Sequence, residues 1–376
     1  MRHLRGRWRA LLALTLAVGL TASCDMMTED LSDCPTGLYM TFRYDYNLDH
    51  ADIFSAQAGS VTLLVYDTDD RLVATYEESN TDYAKPLASD TYTMHITDLP
   101  QGKYRFIALA QQDEYKGTRS AGRALFNREG TTVGSKREDL GITLERQKLA
   151  EGEYEVENNG LPLDTLWYGR NRTVSEWLED GDDPFVTVYT DRPTYDTIYM
   201  MRDMNQISVT LRELDDPTTM DINDYDLSIR DHNSRLLWDN SLDETDAVTY
   251  TPYVKWNDDD SAEATDAEGN PLPGTGKIGH ADFMVSRLMA HASVSDDATL
   301  TISDAQTGST VALLNLPNLL SRTRNYESLY RYTAQQFLDR ACDFSLSLYL
   351  KGGELSYVTI TVGILSWEYH VQTEDL

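Results

Sequence analysis

The chain is long and strongly acidic, with 376 residues and a formal net charge of −30. A length of this order predicts about two domains. The acidity argues against nucleic acid as a partner, because phosphate binding needs clustered Lys and Arg side chains. It also argues against adsorption to an anionic membrane by charge alone.

The first 23 residues have the order of a secretory signal peptide. Four arginines precede an apolar run at residues 10–20, and small residues follow at positions 21–23. The apolar run has about half of the roughly 20 residues that a helix needs to span a bilayer. Residues 1–23 are therefore predicted to be a signal peptide and not a transmembrane helix.

Cys24 directly follows the small residues, which predicts a bacterial lipoprotein whose lipid-modified cysteine becomes the new N-terminus. The leucine usually found three residues earlier is replaced by Thr21, and Leu20 lies one position further back. A plain secreted protein with a chance cysteine is the alternative. Each buried CH₂ of an acyl chain contributes about 0.8 kcal/mol, so several chains on one cysteine form a durable tether. Residues 24–34 are predicted to be this flexible tether, and the mature chain has 28 basic against 62 acidic residues, a balance of −34.

Residues 35–180 are predicted to form an N-terminal β-sandwich domain. Apolar and polar side chains alternate from Leu38 to Tyr46, which is the pattern of a half-buried strand. Pro100 and Gly102 predict a turn that leads into another strand. The domain is predicted to end at the polar residues 180–184. Further strands are predicted at residues 61–66, 72–76, 91–96, 104–109, 142–144 and 166–169.

Residues 181–376 are predicted to form a C-terminal β-sandwich domain. Residues 257–276 are predicted to form a long acidic loop, and residues 325–338 are the best helix candidate. Helical runs between strands are almost absent, so sandwiches are favoured over βαβ units and the fold class is predicted to be all-β. Strands are predicted at residues 198–201, 207–211, 225–229, 283–289, 298–302, 310–314, 344–350 and 358–365.

Short segments with a family likeness are spread over nearly the whole mature chain. They are Cys24, Cys34 followed by a strand that ends at residues 44–47, and then residues 104–108, 166–169, 204–209, 337–340, 343–346 and Trp367. In this order the chain resembles the FimB/Mfa-type minor fimbrial anchor family of Bacteroidetes. Cys342, where an acidic residue is usual, and residues 363–367 depart from the family pattern.

The resemblance implies two tandem transthyretin-like Greek-key β-sandwich domains behind a lipoprotein signal peptide. It implies a lipid-anchored protein, exposed on the cell outer membrane, that holds the base of a fimbrial filament and limits its length. The implied partners are fimbrial shaft subunits. An Arg-directed protease processes those subunits and frees a groove for a neighbour's donor strand, which is β-strand addition.

The position of the first basic residue distinguishes this chain from a shaft subunit. No Arg or Lys lies between Cys24 and Phe42, and the first candidate processing site, Arg43, falls inside the first predicted strand. We therefore expect the first strand to stay in place. The chain would then remain covalently joined to its lipid and would not polymerise as a shaft subunit does.

The partner-binding surface is expected near the terminal strand, residues 358–369, with Ile360 and Val362 as the tentative contact residues. The alternative function is that of a surface glycan- or ligand-binding lipoprotein or a fimbrial tip adhesin. In that case Trp177, Trp238 and Trp256 would form an exposed platform, although their dispersal in the sequence favours core packing.

Catalytic and metal-binding patterns are missing from the sequence, so no enzyme activity, cofactor or metal is predicted. The histidines have no metal-binding spacing, and the sequence has no GxSxG, Walker A or GxGxxG motif. Residues 67–70 and 257–260 offer oxygens for calcium but lack the EF-hand spacing, and solvated turns are the favoured interpretation. An oxidising compartment would permit a disulfide between Cys34 and Cys342, although two lone thiols are more often unpaired.

Overall fold

The computed structural model describes residues 35–113, 122–179, 183–260, 276–325, 329, 331–364 and 367–375. Cys24 and Cys34, and with them the predicted signal peptide and the whole of the tether, lie outside these residues. Strands dominate the described part, which confirms the all-β prediction. The helices are short and are α1 (Phe54–Gln57), α2 (Val174–Glu179), α3 (Leu316–Ser321) and α4 (Ala334–Leu338).

The first sheet has eight strands and mixes parallel with antiparallel pairs. In spatial order it contains β3 (Leu72–Ser79), β2 (Ser60–Tyr66), β5 (Gly102–Gln111), β10 (Leu166–Arg170), β12 (Pro193–Arg202), β1 (Gly37–Arg43) and β4 (Met94–Ile96), with β11 (Val186–Val188) also paired to β5. β2 and β3, which cover the strands predicted at residues 61–66 and 72–76, form a hairpin. β1 lies inside the sheet, parallel to β12 and antiparallel to β4.

The second sheet has six strands and ends with the last strand of the described chain. Its order is β17 (Val254–Asp260), β18 (Gly276–Ser286), β13 (Met204–Glu213), β21 (Asp343–Lys351), β22 (Glu354–Ile364) and β23 (Trp367–Asp375). β21 and β22, which cover the strands predicted at residues 344–350 and 358–365, form a hairpin through Gly352 and Gly353, whose φ angles of 63° and 79° suit glycine at a tight turn.

The third sheet and a small sheet complete the architecture. The third sheet runs β20 (Thr310–Asn315), β19 (Thr299–Asp304), β14 (Tyr225–Asp231), β16 (Ala247–Tyr250), β9 (Glu153–Val156) and β8 (Arg146–Ala150). The small sheet runs β15 (Arg235–Leu237), β7 (Gly141–Leu144) and β6 (Phe126–Glu129).

The strands β2 and β5 of the first sheet are buried on both faces, which explains their near-continuous apolar runs. One face belongs to a hydrophobic cluster with Leu38, Met40 and the helix residue Phe54. The other face, which includes Leu64, shares a second cluster with the small sheet and with the core between the second and third sheets. Hydrophobic packing is therefore continuous from the first sheet to the C-terminal sandwich.

The sheets do not divide at the expected boundary between residues 180 and 181. β12 follows that boundary but lies in the first sheet, whereas β8 and β9 precede it and lie in the third sheet. The small sheet also joins β6 and β7 to β15 of the second half. The polar segment near residue 180 does not predict how the sheets divide, because turn composition reports local exposure and not which strands pair across it.

Two other expectations need correction. The predicted helix at residues 325–338 is helical only as α4 and at a 3-10 turn that ends at Asn325, within its described residues. Thr333 starts α4 because its side chain accepts a hydrogen bond from the backbone N–H of Gln336. Residues 257–260 are not a loop, since they pair with β18, and residues 261–275 lie outside the described part.

Candidate partner-binding surfaces

The first strand is held along both of its edges. β1 pairs along its whole length with β12, and its first part also pairs with β4. Arg43 ends the strand and forms ion pairs with Asp45 (3.0 Å) and Asp52 (3.6 Å). The side chains of Leu38 and Met40 are fully buried. The candidate processing site therefore lies at the end of a strand whose removal would open the core.

The two residues of β22 that were predicted to contact a partner face the interior of the sandwich. Ile360 is 4% and Val362 is 1% exposed, and both belong to the larger hydrophobic cluster. Their side chains stabilise the sandwich and are not placed to touch another chain, which corrects their assignment as partner contacts. β23 covers the outer edge of β22, and no described strand pairs with the far edge of β23. The surface that this region leaves open for strand pairing is therefore the backbone edge of β23.

Three rings form a stack across β4, β1 and β12 of the first sheet, on the face opposite Leu38 and Met40, and we call it the aromatic ladder (Tyr39, His95 and Tyr195). Tyr39 pairs in register with His95 on β4 and with Tyr195 on β12. Its ring centroid lies 4.1 Å from that of His95 and 5.0 Å from that of Tyr195. Sequence reasoning missed this site because the three residues come from separate strands. The alternation in β1, which places Tyr39 opposite the buried Leu38, was the one available signal.

The ladder groove, a depression of about 640 Å³, lies beside Tyr195. The polar residues that line it include Asn171, Glu176, Asp196 and Thr41. Asn171 donates to the Asp196 carboxylate at 3.3 Å, and burial raises the pKa of Asp196. The hydroxyl groups of Thr41 and Thr197 lie 2.8 Å apart. The groove thus combines exposed rings with several hydrogen-bonding groups.

The tryptophan platform that the alternative function would require is not present among the described residues, and core packing was the favoured expectation. Trp177 is 2% exposed and lies in the core, where the Arg170 guanidinium is 5.6 Å from its ring and 5.3 Å from that of Trp238. Trp256 is 40% exposed and stacks on His280 at 4.6 Å in the second sheet. Because Trp177 is buried, the three rings do not share one exposed surface.

A buried polar network lies where the first sheet meets the C-terminal sandwich. Arg287 and Asp339 form a two-bond ion pair with distances of 2.8 and 3.0 Å, and both side chains are almost fully buried. Asp203, between β12 and β13, accepts a hydrogen bond from Asn240 at 3.0 Å. Burial raises the pKa of Asp203 to about 7, while the charge of Arg287 opposes that rise. This network joins the first sheet to the C-terminal sandwich, and its residues do not line the ladder groove.

The acidic turns and the remaining cysteine have structural partners. Asp67 accepts backbone hydrogen bonds from Asp69 and Arg71, both at 2.9 Å, and Asp70 pairs with Arg105 at 2.9 Å. No group of three or more metal-ligating side chains occurs among the described residues. Cys342 is buried with its sulfur 3.5 Å from the Tyr44 hydroxyl, and a pairing with Cys34 falls outside the described part.

The sequence matches one family over almost its full length. Residues 31–373 match the model of the family described as fimbrillin-A associated anchor proteins Mfa1 and Mfa2. No curated protein matches the sequence at a significant level. In the described residues, no helix has the length and apolarity that crossing a membrane requires.

Solved structures share the fold. A candidate adhesin from Bacteroides thetaiotaomicron is 25% identical, with 91% of this chain and all of that chain covered and a TM-score of 0.68. A second structure from that organism, described as candidate polysaccharide-binding proteins, is 23% identical and covers 90% of this chain and 99% of its own, with a TM-score of 0.65. The fimbrial anchor protein Mfa2 from Porphyromonas gingivalis is 15% identical, with 90% of this chain and all of that chain covered and a TM-score of 0.53.

Proposed function

Because this chain belongs to the family of fimbrillin-A associated anchor proteins, we propose that it anchors the base of a fimbrial filament at the cell outer membrane and limits filament length. Lipid on Cys24 would hold it in the membrane, and shaft subunits would be its partners. The observation that carries the proposal is the family match over residues 31–373. It spans both sandwich cores, so the likeness is not confined to one domain.

The retained first strand supports an anchor over a shaft subunit. β1 contributes Leu38, Met40 and Phe42 to the core, and burial of each such side chain contributes roughly 1.5–3 kcal/mol. Loss of β1 would also leave β12 and β4 without their common neighbour. A subunit that keeps this strand offers no vacated groove for a donor strand. It would therefore end a filament at this position instead of extending it.

The free edge of β23 is the proposed docking place for the shaft. An edge strand presents unpaired backbone N–H and C=O groups, and an added strand can pair with them. β23 is nine residues long and lies beside β22, whose buried Ile360 and Val362 fix it on the core. Backbone pairing would supply affinity at this edge.

The second candidate function is that of a surface adhesin, at a filament tip or alone. The 25% identical structure is described as a candidate adhesin, and the 23% identical one as candidate polysaccharide-binding proteins. The exposed rings of the aromatic ladder favour this candidate. The two functions predict different results, because loss of an adhesin would leave filament length and attachment unchanged.

Electron microscopy of cells tests the anchor. We expect cells that lack the protein, or that carry Cys24→Ala, to make longer filaments and shed them into the medium, because nothing would tether or terminate them. Cys342→Ala is the matched control, since this thiol is buried far along the chain from the lipid site, and it should leave filaments attached. Unchanged filament length and attachment in the deletion strain would reject the anchor function and favour the adhesin.

A further inference from the structure

Tyr195 has an open aromatic face in the middle of a sheet. Tyr195 is 67% exposed although the Tyr39 ring stacks on one side of its ring, so the opposite side and the edge of that ring remain open. β10 pairs with β12 only from Tyr199 onward, so no β10 residue lies beside Tyr195. The open face therefore looks onto the ladder groove. We propose that this groove binds a neutral carbohydrate, with a sugar ring stacked on Tyr195.

The composition of the groove fits a sugar. A pyranose has a flat face of C–H groups, which packs on an aromatic face, and a rim of hydroxyl groups, which need donors and acceptors. Tyr195 supplies the apolar face, and the Thr41 hydroxyl, the Asn171 amide and the Glu176 carboxylate line the same depression. Binding sites of this kind combine aromatic walls with a few placed polar groups.

The charge of the groove and of the chain selects against acidic sugars. Glu176 and Asp196 carry carboxylates, and Arg172 is the one basic residue among the described side chains that line the groove. The chain as a whole has a net charge of −30. A uronic or sulfated sugar would approach a negative surface and meet carboxylates, which disfavours association. A neutral sugar has no such cost.

A peptide strand fits the groove less well. The side of β12 left open by β10 runs from Pro193 to Ile198, and the Thr194 hydroxyl there donates to the backbone oxygen of Thr187 at 3.2 Å, which places Thr187 beside the start of this stretch. The four residues that follow Thr194 are fewer than the five or six residues, roughly, of a typical paired strand. The open ring is therefore better matched by a ligand about as wide as one or two sugar units.

Calorimetry with the full chain carrying Cys24→Ala tests the proposal. The probes are neutral hexasaccharides of glucose, mannose and N-acetylglucosamine, with hexagalacturonate as the acidic comparator. We expect at least one neutral probe to bind at micromolar to millimolar concentration and hexagalacturonate to bind more weakly than that probe. Tyr195→Ala should lower the affinity about tenfold or more, which corresponds to about 1.4 kcal/mol.

Two matched variants separate ring stacking from other effects. Tyr195→Phe keeps the aromatic face and should bind within about threefold of wild type. Tyr83→Ala removes another exposed tyrosine, which is 100% exposed and outside the groove, and should leave binding unchanged. The proposal is overturned if no neutral probe binds at millimolar concentration, if Tyr195→Ala binds like wild type, or if hexagalacturonate binds more tightly than every neutral probe.

Discussion

At the scale of single residues, the junction between the first sheet and the C-terminal sandwich has unusual electrostatics. Asp203 is fully buried, and its Oδ2 has no hydrogen-bond partner among the described residues. Burial disfavours the charged carboxylate, which raises the pKa of Asp203 to about 7 even with Arg287 nearby. The neighbouring ion pair of Arg287 with Asp339 satisfies both charges. Removal of either partner from such a pair typically costs about 3–5 kcal/mol.

The raised pKa of Asp203 predicts a specific dependence of stability on pH. In the unfolded chain an aspartate has a pKa of about 3.9, so the folded state binds the proton more tightly. This contribution to stability is fully present below about pH 4 and is lost as pH rises through about 7. Asp203→Asn cannot ionise, so its advantage over wild type in the free energy of unfolding should grow from pH 4 to 8, to at most about 4 kcal/mol.

Urea denaturation of wild type and Asp203→Asn at several pH values measures this difference. Asp231 is a second buried carboxyl with its pKa raised to about 7 by burial, but it is present in both proteins and cancels in the comparison. Parallel stability curves for the two proteins would show that Asp203 does not titrate in this range in the folded state.

At the scale of single elements, the sequence predicted where strands lie in the chain better than it predicted which strands pair with each other. The alternation in β1 and the apolar run of β2 correspond to observed strands, because local periodicity reports which side chains are buried. It carries no information on which strand lies alongside. The parallel pairing of β1 with β12 joins segments more than 100 residues apart, and it is this pairing that assembles the aromatic ladder. The alternation of apolar and polar residues in β22 could have predicted the burial of Ile360. It could not have predicted that β23 lies at the edge of the sheet.

The internal position of β1 predicts that the mature N-terminus survives on the cell. Cleavage after Arg43 would need this peptide to leave a strand paired on both sides and to break the ion pairs with Asp45 and Asp52. N-terminal mass spectrometry of the surface protein should therefore find a chain that starts at Cys24. As a control, the urea-unfolded chain should be cut after Arg43 by an arginine-specific protease. A surface form that begins at Tyr44 would contradict both the retained strand and the anchor's difference from a shaft subunit.

At the scale of the whole molecule, the two halves of the chain exchange strands. β8 and β9 from the first half complete the third sheet, in which β9 pairs parallel with β16. Ion pairs follow the same seam, since Arg146 contacts Asp246 at 2.6 Å and Glu153 contacts Arg230 at 2.6 Å. A boundary read from polar composition near residue 180 missed this, because the exchanged strands are short and local patterns do not reveal their long-range partners.

The exchange predicts that neither half folds by itself. A fragment of residues 181–376 keeps β14 beside β16 but lacks β9, the other partner of β16, where Val248 and Tyr250 are almost fully buried, and would expose apolar surface there. A fragment of residues 35–180 lacks β12, the inner neighbour of β1. We expect each fragment alone to show no cooperative thermal unfolding by circular dichroism. Mixed together, the fragments should form a one-to-one complex in size-exclusion chromatography that unfolds cooperatively, as the intact body of residues 35–376 does. Cooperative unfolding of the 181–376 fragment alone would mean that the C-terminal sandwich folds without the first half of the chain. β8 and β9 would then be edge strands that its stability does not require.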